Sequence, residues 1–351
     1  MRPMRRTMAA GLLGTLLSAL FPWAASGATA RNDFPSLRGP YLGQTPPGAQ
    51  AQLFAPGIVG TGMNERDVAI TPDGREVYFG VSFGRIVTIL VTRLENGRWT
   101  EPAVVPFAAD LKYFHFEPCL SADGNRMLFL TNRPRQGEEP KPGWTHQNIW
   151  AVDRREDGRW GEPYDLGAPV NTADPEFFPS LTRDGTLYFT RSDPKGESAV
   201  ILRARLVGGR YQEPEALPEA VNGKGLPYNA YVARDESYLI ACVDGRDDSL
   251  TPGRPNYYIF FRVGEGRWSD GINLGDRTNF RGAAAASPYV SPDGRYFFFS
   301  STKDREIASS PEKPATSRML REYFAAPQNG NADIYWIEAS FLETLRPPRR
   351  E

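Results

Sequence analysis

Ile70-Thr71-Pro72-Asp73-Gly74-Arg75-Glu76-Val77-Tyr78-Phe79 runs from an apolar strand through a tight polar turn into a second, aromatic strand. The same pattern returns at Val290-Ser291-Pro292-Asp293-Gly294-Arg295-Tyr296-Phe297-Phe298-Phe299. Asp-Gly between apolar runs signals a β-hairpin, because glycine supplies the positive φ of the turn at no steric cost. Three further segments share the pattern: 118–130 around Asp123-Gly124, 179–190 around Asp184-Gly185, and 230–241 around Asp235-Glu236. The five turn aspartates lie 50, 61, 51 and 58 residues apart. A unit of that length suits one four-stranded propeller blade with generous loops.

The second half of each unit repeats as well. Strand-like runs at 86–93, 148–153, 199–206 and 257–263 lead into Asn96-Gly97-Arg98-Trp99, Asp157-Gly158-Arg159-Trp160, Gly208-Gly209-Arg210-Tyr211 and Gly264-Glu265-Gly266-Arg267-Trp268. An aromatic at one fixed place in successive repeats reads as packing between blades rather than as a ligand platform. The fifth unit has its third strand at 333–338 but no aromatic turn, and the segment 53–59 is the expected replacement for its outer strand. The expected fold is therefore all-β, a five-bladed β-propeller of four-stranded antiparallel blades, closed by an N-terminal strand so that no free edge remains. The alternative is an irregular sixth blade, since 302–331 is long enough to hold one or two further strands.

The composition agrees with one large all-β unit. Of 351 residues, 40% are hydrophobic and 24% charged, with 34 glycines and 31 prolines, which excludes a disordered, collagenous or polytopic membrane chain and implies many turns. A net charge of -1 provides no field for nucleic acid or anionic lipid. Residues 1–30 read as an export signal, with Arg2, Arg5 and Arg6 ahead of an uncharged apolar stretch that ends in small residues at Ala28 or Ala30. An uncleaved anchor is the rival reading of the same stretch. The rest divides into an N-terminal arm at 31–50, a propeller at 51–345 and a tail at 346–351, with a periplasmic or secreted location and a monomer expected. Cys119 and Cys242 fall in non-adjacent repeats and are expected as free thiols. His115 and His146 are the only histidines, too few for a three-histidine zinc site.

The two quoted hairpins resemble the WD40-like propeller repeat of the TolB family. Pro40-Tyr41-Leu42-Gly43-Gln44-Thr45-Pro46-Pro47-Gly48, followed by Phe54-Ala55-Pro56-Gly57, is similar to the start of a group of exported bacterial proteins that carry these repeats. The resemblance spans about residues 40–340. It implies a propeller, and it implies either protein binding or carbohydrate chemistry, because the repeat scaffolds both.

Strand order places the functional rim. The blade-to-blade connections and the second-to-third loops share one end of the ring, and there the loops 131–147, 244–256 and 302–331 are long, which is where binding residues concentrate. Residues six and eight positions before each turn aspartate are expected at the channel mouth: Asp67 and Glu65, Glu117 and His115, Phe178 and Glu176, Asn229 and Pro227, Ser287 and Ala285. Arg133 and Lys303 are expected to face them. Three uses are open to this cluster. It is a solvated entrance whose charges pair with Arg66, Arg133 and Lys303. It binds a basic peptide, a sugar or a divalent cation, with help from Trp144, Tyr113 and Phe114. Or two of Asp67, Glu117 and Glu176 act as acid and base of a hydrolase or lyase. The expected partner is a protein, peptide or saccharide, and no cofactor is required by any motif. Gly80-Val81-Ser82-Phe83-Gly84 matches a nucleophile elbow, but a β-branched strand follows where the elbow needs a helix. Asp244-Gly245-Arg246-Asp247-Asp248 lacks calcium-loop spacing. Residues 316–324 are expected as a short helix, docked on the rim or lying over it as a lid.

Overall fold

The computed structural model of the chain describes residues 34–348 except 136, 140–145, 308 and 311. Trp144, the expected leader at 1–30 and the end of the tail lie outside the described residues. Five antiparallel four-stranded blades stand around a channel. Their innermost strands are Asn64–Ile70, His115–Leu120, Glu176–Leu181, Leu226–Val232 and Ala285–Val290. In blade five the order runs outward through Tyr296–Ser301 and Asp333–Glu338 to Gln52–Leu53, so the N-terminal segment supplies the last outer strand. Gln52 pairs with Trp336 and Leu53 with Tyr335. The closing strand begins one residue before the predicted segment and is shorter, because Ala55 turns out of the ladder at positive φ. The 302–331 loop contains the helix Ser317–Phe324 and two isolated bridges, and among the described residues no sixth blade forms.

Four of the five turns are held by the same local chemistry. The Thr71 hydroxyl donates to the Asp73 carboxylate at 2.6 Å, and that carboxylate accepts from the Arg75 amide at 3.1 Å. Ser121–Asp123, Thr182–Asp184 and Ser291–Asp293 repeat the hydroxyl-to-carboxylate bond. Blade four has Ala233 in place of the hydroxyl and Glu236 in place of glycine, held at φ 57°. That strained glutamate is retained by three partners, since the Tyr188 hydroxyl and the Arg203 and Arg262 guanidiniums all donate to it.

The apolar mass sits in wedges between blades rather than at the centre. Blades one and two share Tyr78, Ile89, Phe107, Phe129 and Trp160, and blades three and four share Tyr188, Leu239, Tyr258, Phe260 and Trp268. Because both faces of a blade are covered, Phe297, Phe298 and Phe299 are all buried at consecutive positions where a half-exposed strand would alternate. Each such ring contributes roughly 2 to 3 kcal/mol, against about 0 to 1 kcal/mol for an exposed ion pair, so the wedges hold the ring together. The aromatic-turn residues belong to them. Trp160 donates its indole N–H to the Tyr78 hydroxyl of the preceding blade at 3.0 Å, and Trp99 donates to the Gly39 carbonyl of the N-terminal arm at 2.7 Å.

Both cysteines are free, and burial pushes both thiols up. Neither is expected to react with Ellman's reagent in the folded protein, and both should react once it unfolds. Rapid native labelling of either would contradict this packing.

Candidate functional site

Every innermost strand carries a β-bulge at the same place, between Arg66 and Ala69, Phe116 and Cys119, Phe177 and Ser180, Tyr228 and Tyr231, and Ala285 and Pro288. A bulge re-aims the side chain of its extra residue. Asp67, Glu117, Phe178 and Asn229 occupy that position at φ between 50 and 62°, a conformation that costs about 1 kcal/mol or more for a residue with a side chain. The bulge delivers the residues six before each turn aspartate into the channel. It also separates them from the residues eight before, which a plain strand would have pointed the same way.

Hydrogen bonds join the channel residues of blade five to blade one, blade one to blade two, blade two to blade three, and blade four to blade five. The Ser287 hydroxyl donates to Asp67. Arg66 donates to Asp67 at 2.9 Å and to Glu117 at 2.9 Å, with its guanidinium 4.9 Å from the Phe116 ring. The Phe178 amide donates to Glu117 at 2.7 Å, and Asn229 donates from its side chain to the Ala286 carbonyl at 2.6 Å. One guanidinium therefore serves two buried carboxylates, and burial, reinforced by Asp67, pushes Glu117 up to about 8 against the pull of Arg66. Beneath this layer the channel narrows to a space of about 30 Å³. Arg234 spans it from blade four to the carbonyls of Leu181 and Leu120, at 2.9 and 2.8 Å.

The remaining predicted residues lie elsewhere. Glu176 is buried and accepts from Arg191 at 2.8 Å and from the Thr172 hydroxyl at 2.5 Å. His115 is buried, and desolvation together with nearby Arg133 lowers its pKa to about 3, so it is neutral at physiological pH. His146 sits 3.1 Å from Glu138. Arg133 and Lys303 do not face the acids: Arg133 turns back to donate to the Phe107 carbonyl at 3.1 Å and lies by Tyr113, while Lys303 lies 4.9 Å from the Phe280 ring. Among the described residues no three His, Cys, Asp or Glu side chains gather as a metal site. Ser82 is on a strand that turns into another strand and accepts from Asn64 at 2.7 Å, which is no nucleophile elbow. Asp248 is taken by Arg246 and by the Tyr258 hydroxyl, at 2.9 and 3.0 Å.

Glu65 points away from the channel, into the seam where blade one meets blade five. Its amide donates to the Ala332 carbonyl at 2.8 Å, and its carboxylate accepts from Thr61. Beside it Asp333 accepts from the Gln328 amide at 2.6 Å. Blades two and four have Asn148 and Asn256 at the position of Asp333, each opening the third strand opposite the second. Burial pushes Glu65 up to about 7, with the charge of Asp333 adding to it, and burial pushes Asp333 up to about 6. Neither has an ion-pair partner among the described residues. No sequence pattern singled out Asp333. Comparison with the asparagines of the other repeats was the available signal.

Above this seam, on the long-loop rim, lies a cavity of about 740 Å³ lined by Asn64, Ser82, Phe83, Thr302, Phe324 and Asn331 among others. The helix Ser317–Phe324 stands at its edge, capped by the Thr316 hydroxyl accepting from the Met319 amide at 3.2 Å. Met319 and Tyr323 are half-buried, whereas Leu320 and Phe324 remain exposed, so the helix rests on the rim without burying a full apolar face. Its end is fixed. Asn329 donates to both the Gly62 and Phe324 carbonyls, at 3.0 and 2.8 Å, and Gly62 lies so close to Phe324 that a side chain there would collide with it.

The fold and this rim define a five-bladed β-propeller with a narrow channel and a cavity of about 740 Å³ at the closing seam. No protein-family model matches the sequence, and no curated protein is similar to it. Among solved structures the chain is similar to TolB from Acinetobacter baumannii, at 14% identity over 79% of this chain and 57% of that one, with a TM-score of 0.43. It is similar to a putative TolB from Agrobacterium tumefaciens, at 13% identity over 79% and 90%, TM-score 0.45. It is also similar to a GH43 endo-arabinanase from Bacillus licheniformis, at 12% identity over 78% and 93%, TM-score 0.45. The chain spans little more than half the length of the Acinetobacter protein. No helix among the described residues is long and apolar enough to cross a membrane.

Proposed function

We propose that this chain is an exported binding module that holds its ligand on the long-loop rim, at the seam of blades one and five, and performs no hydrolysis in its channel. The observation that carries this reading is the condition of the channel acids. Hydrolysis by two carboxylates needs both presented to substrate across an open gap. Asp67 and Glu117 instead share Arg66, and Glu176 is fully buried under Arg191 and Thr172. The rim cavity has the size of small-molecule sites, which run from about 300 to 1,000 Å³, and its exposed aromatics are free of such pairing. Residues 1–30, read as an export signal, support a periplasmic or secreted location, where the ligand is a protein, peptide or saccharide.

A thermal-shift screen of the purified protein against peptide and oligosaccharide libraries tests the reading, since a ligand bound only by the folded state raises its apparent stability. The expected result is a shift that disappears in Phe83→Ala or Phe324→Ala and persists in Glu117→Gln. Turnover of any glycoside that Glu117→Gln or Glu176→Gln abolishes would replace this account with the hydrolase.

A further inference from the structure

We infer that the rim cavity is built for an uncharged saccharide. This assignment rests on the binding reading above and adds the ligand class. In a chain with 24% charged residues, none of the described side chains lining this cavity carries a charge. A charged ligand entering it would shed water with nothing to offset the loss. An apolar ligand fits no better, because the lining holds polar groups with capacity unused among the described residues. Ser82 and Thr302 each act as acceptors, from Asn64 at 2.7 Å and from the Ala284 amide at 3.0 Å, which leaves their hydroxyl protons to donate. Asn331 spends its side-chain N–H on the Gly62 carbonyl at 3.1 Å, which leaves its side-chain oxygen to accept. Covering these groups with hydrocarbon would leave them unsatisfied.

Two aromatic rings complete the lining. Phe83 is 48% exposed and Phe324 72% exposed, unusual for phenylalanine in a folded chain. A sugar ring offers the matching surface: C–H faces, whose partial positive charge suits the negative face of an aromatic ring, edged by hydroxyls that both donate and accept. The Phe324 main chain is fixed by the Asn329 bond to its carbonyl, so the backbone that carries the ring needs little ordering on binding.

The test is isothermal titration of the full purified protein with cellotetraose, maltotetraose, xylotetraose, arabinotetraose and chitotetraose. Tetragalacturonate serves as the charged control and an uncharged tetrapeptide, N-acetylated and C-amidated Gly-Ser-Ala-Gly, as the peptide control. The expected result is binding of at least one uncharged glycan at roughly micromolar to millimolar affinity, weakened about tenfold or more by Phe324→Ala and by Phe83→Ala, with tetragalacturonate bound more weakly. Both rings are exposed, so these variants keep their fold, which an unchanged melting temperature would verify. If the tetrapeptide or tetragalacturonate binds best and Phe324→Ala abolishes it, the assignment of an uncharged saccharide is overturned while the rim site stands. If a glycan binds but only Glu117→Gln or Asp67→Asn weakens it, the site and the binding reading both fail. Absence of heat with every glycan at roughly 5 mM overturns the saccharide assignment.

Discussion

Arg66→Leu is expected to remove about 3 to 5 kcal/mol of folding stability, the range for stripping one partner from a buried ion pair. The physical cause is the channel layer. Asp67 and Glu117 are nearly inaccessible and share that single guanidinium, so without it the desolvated Asp67 carboxylate is left without its cation beside the Glu117 carboxyl, which burial favours in its protonated form. Urea unfolding followed by tryptophan fluorescence measures the loss. Arg66→Leu combined with Asp67→Asn and Glu117→Gln should recover much of it, because a neutral layer needs no counter-charge. A single Arg66→Leu variant that loses less than about 1 kcal/mol, the size of a surface pair, would show that the layer is not the staple described here.

The second large effect concerns pH. Glu65, Asp333 and Glu117 all have folded pKa values raised above their ordinary ones, to about 7, 6 and 8. Raised acids favour the folded state while protonated, and that contribution is lost as pH rises through the folded values. The turn aspartates Asp73, Asp123 and Asp184 are lowered, Asp73 against the opposing effect of its own burial and the other two mainly by the hydroxyls that donate to them. Their contribution is lost as pH falls below the ordinary carboxylate range. Stability should therefore peak near pH 5 and decline towards pH 8. Raising Asp333 to about 6 corresponds to roughly 3 kcal/mol against its charged form. Asp333→Asn, which restores the residue type of Asn148 and Asn256, is expected to stabilise the protein by about 2 kcal/mol at pH 8 and by almost nothing at pH 4. Denaturant midpoints of both proteins at the two pH values measure this. An equal change at both, or a loss at pH 8, would show that the seam carboxyls are not the proton-holding pair.

The fold was legible in the sequence because its determinants are local. Asp-Gly turns and aromatic strands each declare themselves within ten residues, and their spacing set the blade count. The missing outer strand was legible too, since a ring with a free edge demands a partner and only the segment near Leu53 remained. The site was less legible, and the reason is the bulge. Alternation along a plain strand puts Glu65 and Asp67 on one face, so both read as channel residues. One inserted residue per strand, between Arg66 and Ala69 in blade one, sends Asp67 to the channel and Glu65 to the seam. Nothing in the residue types marks that insertion. Arg133 was misplaced for a related reason, because a long side chain follows whatever carbonyl its loop presents, here that of Phe107. The rim cavity was out of reach of sequence reading, as it joins Ser82 and Phe83 to Thr302 and Phe324 across the whole length of the chain.

That span has a consequence in time. The strand that completes blade five is two residues long and pairs Gln52 with Trp336 and Leu53 with Tyr335. During synthesis four blades can form in order as they emerge, since each needs only its own hairpins and its predecessor. The first blade must then wait, with its seam bare, until nearly the last residues arrive to meet the first. Contacts so distant in sequence form late. The step that finishes the ring is also the step that creates the proposed binding cavity, so the protein has no partly assembled form in which that site exists.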